Sequence, residues 1–257
     1  MTAESLPTLP ACDLYIAAMG RSGSTMLANL LHQPPSHLCL VEPKLALGAP
    51  SDQSLRRLAS AIPTMGAPDA RELIEHLRAS SKWGVKEVRP DIHDQSIALL
   101  QPKHIVVLLR DPFQASLSLY EKAARDGLLD RPEWILALAT DAMASLPRLA
   151  EHPRAITIGY ERFVSDAEVR AALAETLDWP LDGDASRGLE AIGRGREVEL
   201  HKGRITQESL ARGRSKATPD AIEFAERAVA HANDITALLE RVNTSSDGLV
   251  LAAKTPA

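Results

Sequence analysis

Ile105-Val106-Val107-Leu108-Leu109 is an unbroken apolar run that ends abruptly in Arg110-Asp111-Pro112. A strand with one wet face alternates apolar and polar residues, whereas a run with no polar member has both faces covered. His104 to Leu109 is therefore predicted to be a strand inside a parallel sheet, with helices above and below. A helix follows at once: Asp111 suits the N-cap and Pro112 the first turn. Phe113, Leu117 and Tyr120 give that helix an inner face.

The rest of the chain alternates in the same way. Leu14 to Met19 is an apolar run closed by Gly20, a buried-strand signal. Ser24 to His32 carries Leu27, Leu30 and Leu31 at helical spacing and stops before Pro34-Pro35. Leu38 to Val41 reads as a strand cut off by Glu42-Pro43, and Trp83 to Val88 and Ala155 to Ile158 read as two more. Helices are expected around 55–62, over Asp69 to Ala79 and from about Arg131 to Ala150. Ser165-Asp166-Ala167-Glu168 reads as a capping box opening a helix that ends near Trp179-Pro180. Leu181 to Lys216, polar and rich in Gly and Arg, is expected to be a long functional loop. Thr218-Pro219 opens a last helix whose apolar positions, from Ile222 through Val229 and Ile235 to Leu239, keep one face. Residues 1–10 and 243–257 are expected to be flexible tails.

Strands alternating with helices imply one α/β domain over 1–257, three layers thick, with a mostly parallel central sheet. Ligands of such sheets bind at the carboxyl ends of the strands. Two polar junctions fall there, after Met19 and after Leu109.

Bulk properties narrow the partners. A formal net charge of −5 argues against non-specific nucleic-acid binding, which favours a basic surface. Cys12 and Cys39 are too few for a disulfide framework and lack metal-ligand spacing, so they read as buried or free thiols of a reducing compartment. Met1 to Pro10 has neither a basic nor an apolar region of a signal peptide, and no run approaches the ~18 apolar residues of a membrane span. A cytoplasmic location is the expectation. Oligomeric state is left open.

The first junction, Met19-Gly20-Arg21-Ser22-Gly23-Ser24-Thr25-Met26, leaves a strand and enters a helix. Gly20 and Gly23 let the backbone turn tightly and approach an anion. Ser22, Ser24 and Thr25 bring hydroxyls, and the first helical amides bring the positive end of the helix dipole. A nucleoside-triphosphate loop would place Lys directly after the second Gly. Here Ser24 follows Gly23, Ala18 stands where the first Gly would be, and the cation, Arg21, precedes Gly23 by two residues. A plain Gly/Ser turn is the competing reading of the loop alone.

Gly20-Arg21-Ser22-Gly23-Ser24-Thr25 resembles the 5′-phosphosulfate loop of the sulfotransferases, in which Lys or Arg precedes Ser-Gly-Ser/Thr-Thr. The second signature of that family is an apolar strand, then Arg, then Ser eight residues on; Arg110 and Ser118 stand in that relation. The resemblance implies a P-loop NTPase-like domain that uses 3′-phosphoadenosine 5′-phosphosulfate as co-substrate and needs no metal. Arg110 and Ser118 would hold the donor's 3′-phosphate, a suitable task for a bidentate guanidinium and a hydroxyl. A strand-end ion pair with Asp111 or a neighbour is the competing reading of Arg110. Weaker matches follow in order. Trp83-Gly84-Val85-Lys86 resembles the strand whose Lys faces the sulfate, Ile158-Gly159-Tyr160-Glu161 the element whose Tyr binds the nucleotide, and Lys202-Gly203-Arg204 the basic loop closing over it, with Arg212 and Arg214 competing for that role.

Sulfuryl transfer then asks for positioning, charge stabilisation and a base for the acceptor hydroxyl or amine. Arg21 and the loop amides would stabilise the leaving phosphate, and Lys86 the sulfuryl oxygens. The His that follows the strand Lys in many aryl sulfotransferases is missing, since Glu87, Val88 and Arg89 come next, and His93 lies too far along and reads as a surface residue. With aromatic residues at only 4%, a phenol pocket is disfavoured, and the fit is better with branches that act on carbohydrates, lipids or peptides through a Glu. Glu42 and Glu87 are the candidates. Neighbouring strand residues face opposite sides, so Glu87 should face away from whatever Lys86 faces, and Glu42 is preferred. Their bland readings are a solvated loop carboxylate for Glu42 and an ion pair with Arg89 for Glu87. The alternatives in function are a small-molecule or nucleotide kinase with a degenerate loop, or a catalytically inactive nucleotide-binding module.

Overall fold

In the computed structural model, residues 9–45, 70–181, 217–230 and 232–252 are described. Six strands form one sheet in the order β2-β3-β1-β4-β5-β6. They are β1 (Leu14–Ala18), β2 (His37–Val41), β3 (Lys82–Glu87), β4 (His104–Leu109), β5 (Ala155–Gly159) and β6 (Leu249–Leu251). The first five are mutually parallel, and β6 runs antiparallel to β5. Every residue of β1 and all but the first of β4 are buried, as the apolar run of β4 demands. Each Leu, Ile or Val among them stabilises by about 1.5–3 kcal/mol on leaving water.

Helices cover both faces, as expected. One face receives α1 (Ser24–Leu31), α6 (Tyr160–Ser165) and α7 (Ala167–Leu177), whose Leu27, Leu30, Phe163 and Leu173 pack on Ile16, Val106 and Ile158. The other receives α2 (Ala70–Ala79), α5 (Pro132–Ala150) and α9 (Asn233–Thr244), packed on Tyr15, Val85 and Val107. The remaining helices are α3 (His93–Leu100), α4 (Pro112–Arg125) and α8 (Pro219–Val229). Alternate residues of β1 divide between the two cores, Tyr15 and Ala17 to one and Leu14, Ile16 and Ala18 to the other. Asp111 caps α4 by accepting from the Gln114 amide at 2.8 Å, and Pro112 stands in its first turn.

Three expectations need correction. The helix predicted from Pro219 to beyond Leu239 is two helices, broken around Ala232, which has φ −98° and ψ 19°. The apolar period survives the break because Ala228, Ala232, Ile235 and Leu239 still enter the same core. The helix expected to open at Ser165 is capped one residue later: Ser165 ends α6, and the Asp166 carboxylate accepts from the Glu168 amide. The tail expected to be flexible from 243 continues α9 to Thr244 and then forms β6. Gly248, at φ +65°, makes the turn, and a Cβ there would stand 2.3 Å from Val169 Cγ2. The helix expected near 55–62 and the loop from 182 to 216 lie outside the described residues.

Candidate functional site

The chain builds the sheet outward from β1 in both directions, β3 and β2 on one side and β4 and β5 on the other. The connections leaving β1 and β4 therefore part at the carboxyl edge, where parallel sheets open a crevice. Arg21 follows β1 and Arg110 follows β4, so the strand order puts the two basic junctions side by side.

The loop after β1 is wound tightly. The Ser22 amide donates to Met19 O at 3.2 Å, and the Leu27 amide to Gly23 O at 3.2 Å. Gly23 is the N-cap of α1 with φ 89° and makes no side-chain cap, so the first amides of the helix are left to other acceptors. Arg21 also sits in the left-handed region, at φ 71°, whereas Gly20 does not, and a Cβ at Gly20 would meet Leu119 at an ordinary 3.7 Å. Ser22 is fully buried and its hydroxyl has no hydrogen-bond partner among the described residues. Such a group costs about 1–3 kcal/mol until something bonds it. Unmatched amides, a buried unmatched hydroxyl and a nearby guanidinium fit a phosphate. Met26 turns its side chain into the core under α1, so only its backbone can face a ligand.

The second junction is joined to the first by direct bonds. Arg110 donates through Nη1 to the carbonyl of Arg21 at 2.8 Å, and Arg21 Nε donates to Ser118 Oγ at 3.2 Å. Tyr160, first residue of α6, fills the gap between them. Arg110 Cζ stands 4.8 Å from its ring centroid, a cation–π distance, and a Cβ on Gly23 would come within 2.2 Å of the same ring. Next along, Glu161 accepts from the Asp111 amide at 3.2 Å, and burial pushes its carboxyl above the ordinary carboxylate range. Arg21, Gly23, Arg110, Ser118 and Tyr160 thus form one constellation. Asp111 caps α4, its carboxylate accepting from the Gln114 amide.

A second constellation stands at the ends of β2 and β3. Lys86, only 1% exposed, donates to Glu42 Oε1 at 2.6 Å, and the Glu42 amide donates to the Lys86 carbonyl at 2.7 Å. Glu42 is therefore ion-paired, unlike a solvated loop carboxylate, and its side chain stays 30% exposed. Glu87 lies on the opposite side of the strand, as alternation requires. Its partner is the Lys44 amide, which donates to Oε1 at 2.6 Å, while Arg89 pairs with Asp91. Glu42 and Lys44 flank Pro43 with φ of 52° and 54°, a left-handed conformation costing roughly 1–3 kcal/mol per residue outside glycine. Burial pushes the Glu87 carboxyl up to about 7 against the opposing pull of the Lys44 amide. Sequence reasoning did not reach this clamp, because nothing in Glu42-Pro43-Lys44 announces two left-handed residues.

Other expectations resolve more simply. His93 is not at the surface: it is fully buried, its Nδ1 is 2.8 Å from the Tyr15 hydroxyl, and burial lowers its pKa to about 4. Cys12 and Cys39 are free and buried. Lys202 and Arg204, with Arg212 and Arg214, lie outside the described residues. Among the described residues no group of three or more His, Cys, Asp or Glu is arranged to hold a metal ion, and no helix is long and apolar enough to cross a membrane.

No family model matches this chain, and no curated protein matches it in sequence. Solved structures do match it. The sulfotransferase domain of the olefin synthase of Synechococcus PCC 7002 superposes with a TM-score of 0.58 at 18% identity, over 88% of this chain and 98% of that one. The sulfotransferase domain of the curacin biosynthetic pathway superposes with a TM-score of 0.56 at 15% identity, over 88% and 98%. The chain has the sulfotransferase fold.

Proposed function

We propose that this protein transfers a sulfuryl group from 3′-phosphoadenosine 5′-phosphosulfate to a hydroxyl or amine of a small-molecule, carbohydrate, lipid or peptide acceptor, with Glu42 as the general base. The observation that carries the reading is the bonded chain Arg110–Arg21–Ser118. Two short basic motifs far apart in sequence meet at one edge of the sheet, in a fold that the sulfotransferase domains share.

In this reading the α1 amides, Ser22, Ser24 and Thr25 cradle the 5′-phosphosulfate, and Arg110 and Ser118 grip the 3′-phosphate. Tyr160 stacks below Arg110 and limits the depth of the cleft. The donor supplies a labile sulfur–oxygen bond. That bond breaks toward the phosphate oxygen as the acceptor oxygen bonds to sulfur, roughly in line. Arg21 and the loop amides stabilise the charge left on the phosphate. Glu42 takes the proton of the acceptor, and Lys86, 2.6 Å from Glu42, holds that carboxylate in place and offsets the charge of the sulfuryl oxygens. Lys202 and Arg204 would close over the nucleotide.

The test has two parts. Adenosine 3′,5′-bisphosphate should raise Tm by mass action, and ATP with magnesium should raise it much less. Labelled sulfate should pass from the donor to at least one member of a panel of sugars, lipids, peptides and phenols. Equal stabilisation by the two nucleotides would favour the kinase reading, and donor binding without transfer to any member the inactive module.

A further inference from the structure

Lys86 and Glu87 are consecutive residues of β3, and they hold the same turn from opposite faces of the sheet. Lys86 holds Glu42 twice, through its carbonyl and through its ammonium. Glu87 holds Lys44 once, through its carboxyl oxygen Oε1 on the Lys44 amide. Between them Glu42-Pro43-Lys44 is kept in a conformation with two left-handed residues, which an unrestrained chain would relax.

Glu87 is costly where it stands. It is 1% exposed, and its second oxygen has no hydrogen-bond partner among the described residues. It lies on the sheet face that carries Tyr15, Ala17 and Val85, among apolar neighbours. The titratable groups around it are Lys44 and Glu42 from the turn, Lys86 on its own strand, Arg89 just beyond the strand, and the Tyr15 hydroxyl from β1. Packing alone would be served better by an apolar side chain, since half of the carboxyl is desolvated and bonds nothing. What the carboxyl does that an apolar side chain cannot is accept the Lys44 amide.

We propose that Glu87 is a positioning residue for Glu42: by holding the Lys44 amide it keeps the turn after β2 in the one shape that presents the Glu42 carboxylate to the acceptor. The inference rests on the reading of Glu42 as the base. Glu87 itself does not touch the reacting atoms, and a neutral amide carbonyl in its place would serve equally well, because only an acceptor is needed there.

Three variants separate the outcomes. Glu87→Gln keeps an acceptor of the same reach. Glu87→Met keeps the length and removes the acceptor, and Glu87→Asp keeps the carboxyl but withdraws it. Each is measured for hydrogen exchange at the Lys44 amide, for the Kd of adenosine 3′,5′-bisphosphate, and for transfer of labelled sulfate to the acceptor panel and to water. Glu87→Gln should keep Lys44 protected and transfer within about threefold of the parent. Glu87→Met and Glu87→Asp should expose the Lys44 amide and lose about tenfold or more in kcat, with the Kd unchanged within about twofold. A merely structural Glu87 would lower Tm and leave kcat of the folded protein intact. Normal transfer by Glu87→Met overturns the inference, or by Glu87→Asp if Glu87→Met does not fold. Glu87→Gln as inactive as Glu87→Met also overturns it, because Glu87 would then be the base. Full transfer by Glu42→Gln instead overturns the underlying reading of the site.

Discussion

Gly23 lies so close to the Tyr160 ring that a Cβ at position 23 would stand 2.2 Å from the ring carbon Cε2. The same ring carries the guanidinium of Arg110, 4.8 Å from the centroid. The loop after β1, the Arg after β4 and the start of α6 therefore meet at one aromatic ring.

Gly23→Ala should fail on two separate grounds. The residue would be an L-amino acid at φ +89°, costing at least ~1–2 kcal/mol, and its methyl would push Tyr160 off Arg110. Thermal unfolding should show the loss of stability, and calorimetry should show weakened binding of adenosine 3′,5′-bisphosphate in the fraction that remains folded. Unaltered nucleotide binding would mean that the Tyr160 stack does not shape the cleft.

Arg110→Ala should weaken donor binding by ~1.5–3 kcal/mol, the size of a hydrogen bond to a charged group. Ser118→Ala should cost less, although it also removes the hydroxyl that receives Arg21 Nε. Both losses should shrink for an analogue lacking the 3′-phosphate. Losses of the same size with that analogue would put the two residues at another part of the nucleotide.

Glu42→Gln should leave the fold and donor affinity in place and lower kcat by ~10²-fold or more, the range for a general base. Gln is the informative substitution because its amide oxygen still accepts from Lys86. Glu42→Leu would strand the buried ammonium of Lys86, and breaking a buried pair costs ~3–5 kcal/mol. Comparing Tm of the two variants separates the proton-transfer role from the ion-pair role.

Two buried groups should tilt the pH dependence of stability in opposite directions. Glu87 is raised from 4.5 to about 7, so the folded state binds its proton more tightly and stability falls as pH rises through that window. His93 is lowered from 6.5 to about 4, so the unfolded state binds the proton more tightly and stability falls as pH drops through its window. Each displacement corresponds to roughly 3 kcal/mol, and the windows overlap. Relative to the parent, Glu87→Gln should gain stability with rising pH between about 4.5 and 7. His93→Gln should gain it with falling pH between about 6.5 and 4. Denaturant unfolding across this range reads both slopes, and parallel curves would show that neither group is as buried in solution as the structure has it.

The parts of the fold that a sequence can show are those where one physical demand dominates. β4 declares itself because both of its faces are covered, and α4 because Asp111-Pro112 has no better use than a helix start. The adjacency of Arg21 and Arg110 needed only the expectation of a parallel sheet with ligands at its carboxyl edge. The parts that escaped lack a local signature. α3 is one short helix with only Ser96 and Leu100 buried beyond His93, and its existence depends on packing near Tyr15. The break around Ala232 is invisible because both helices bury the same stripe. The Glu87–Lys44 bond joins residues in different strands' exits, and left-handed Glu and Lys are stable only once that bond and its neighbours exist.

The short β6 has a consequence for solution behaviour. β5 is a five-residue apolar strand, Ala155–Gly159, with β4 on one side; left open, its other side would offer a row of unsatisfied amides and carbonyls, a template on which a second molecule could polymerise. Leu249–Leu251 closes that row with only three residues, running the opposite way. Held by Gly248 against Val169 and by Arg162 on the carbonyl of Ser245, it works as a stopper on the flank of β5.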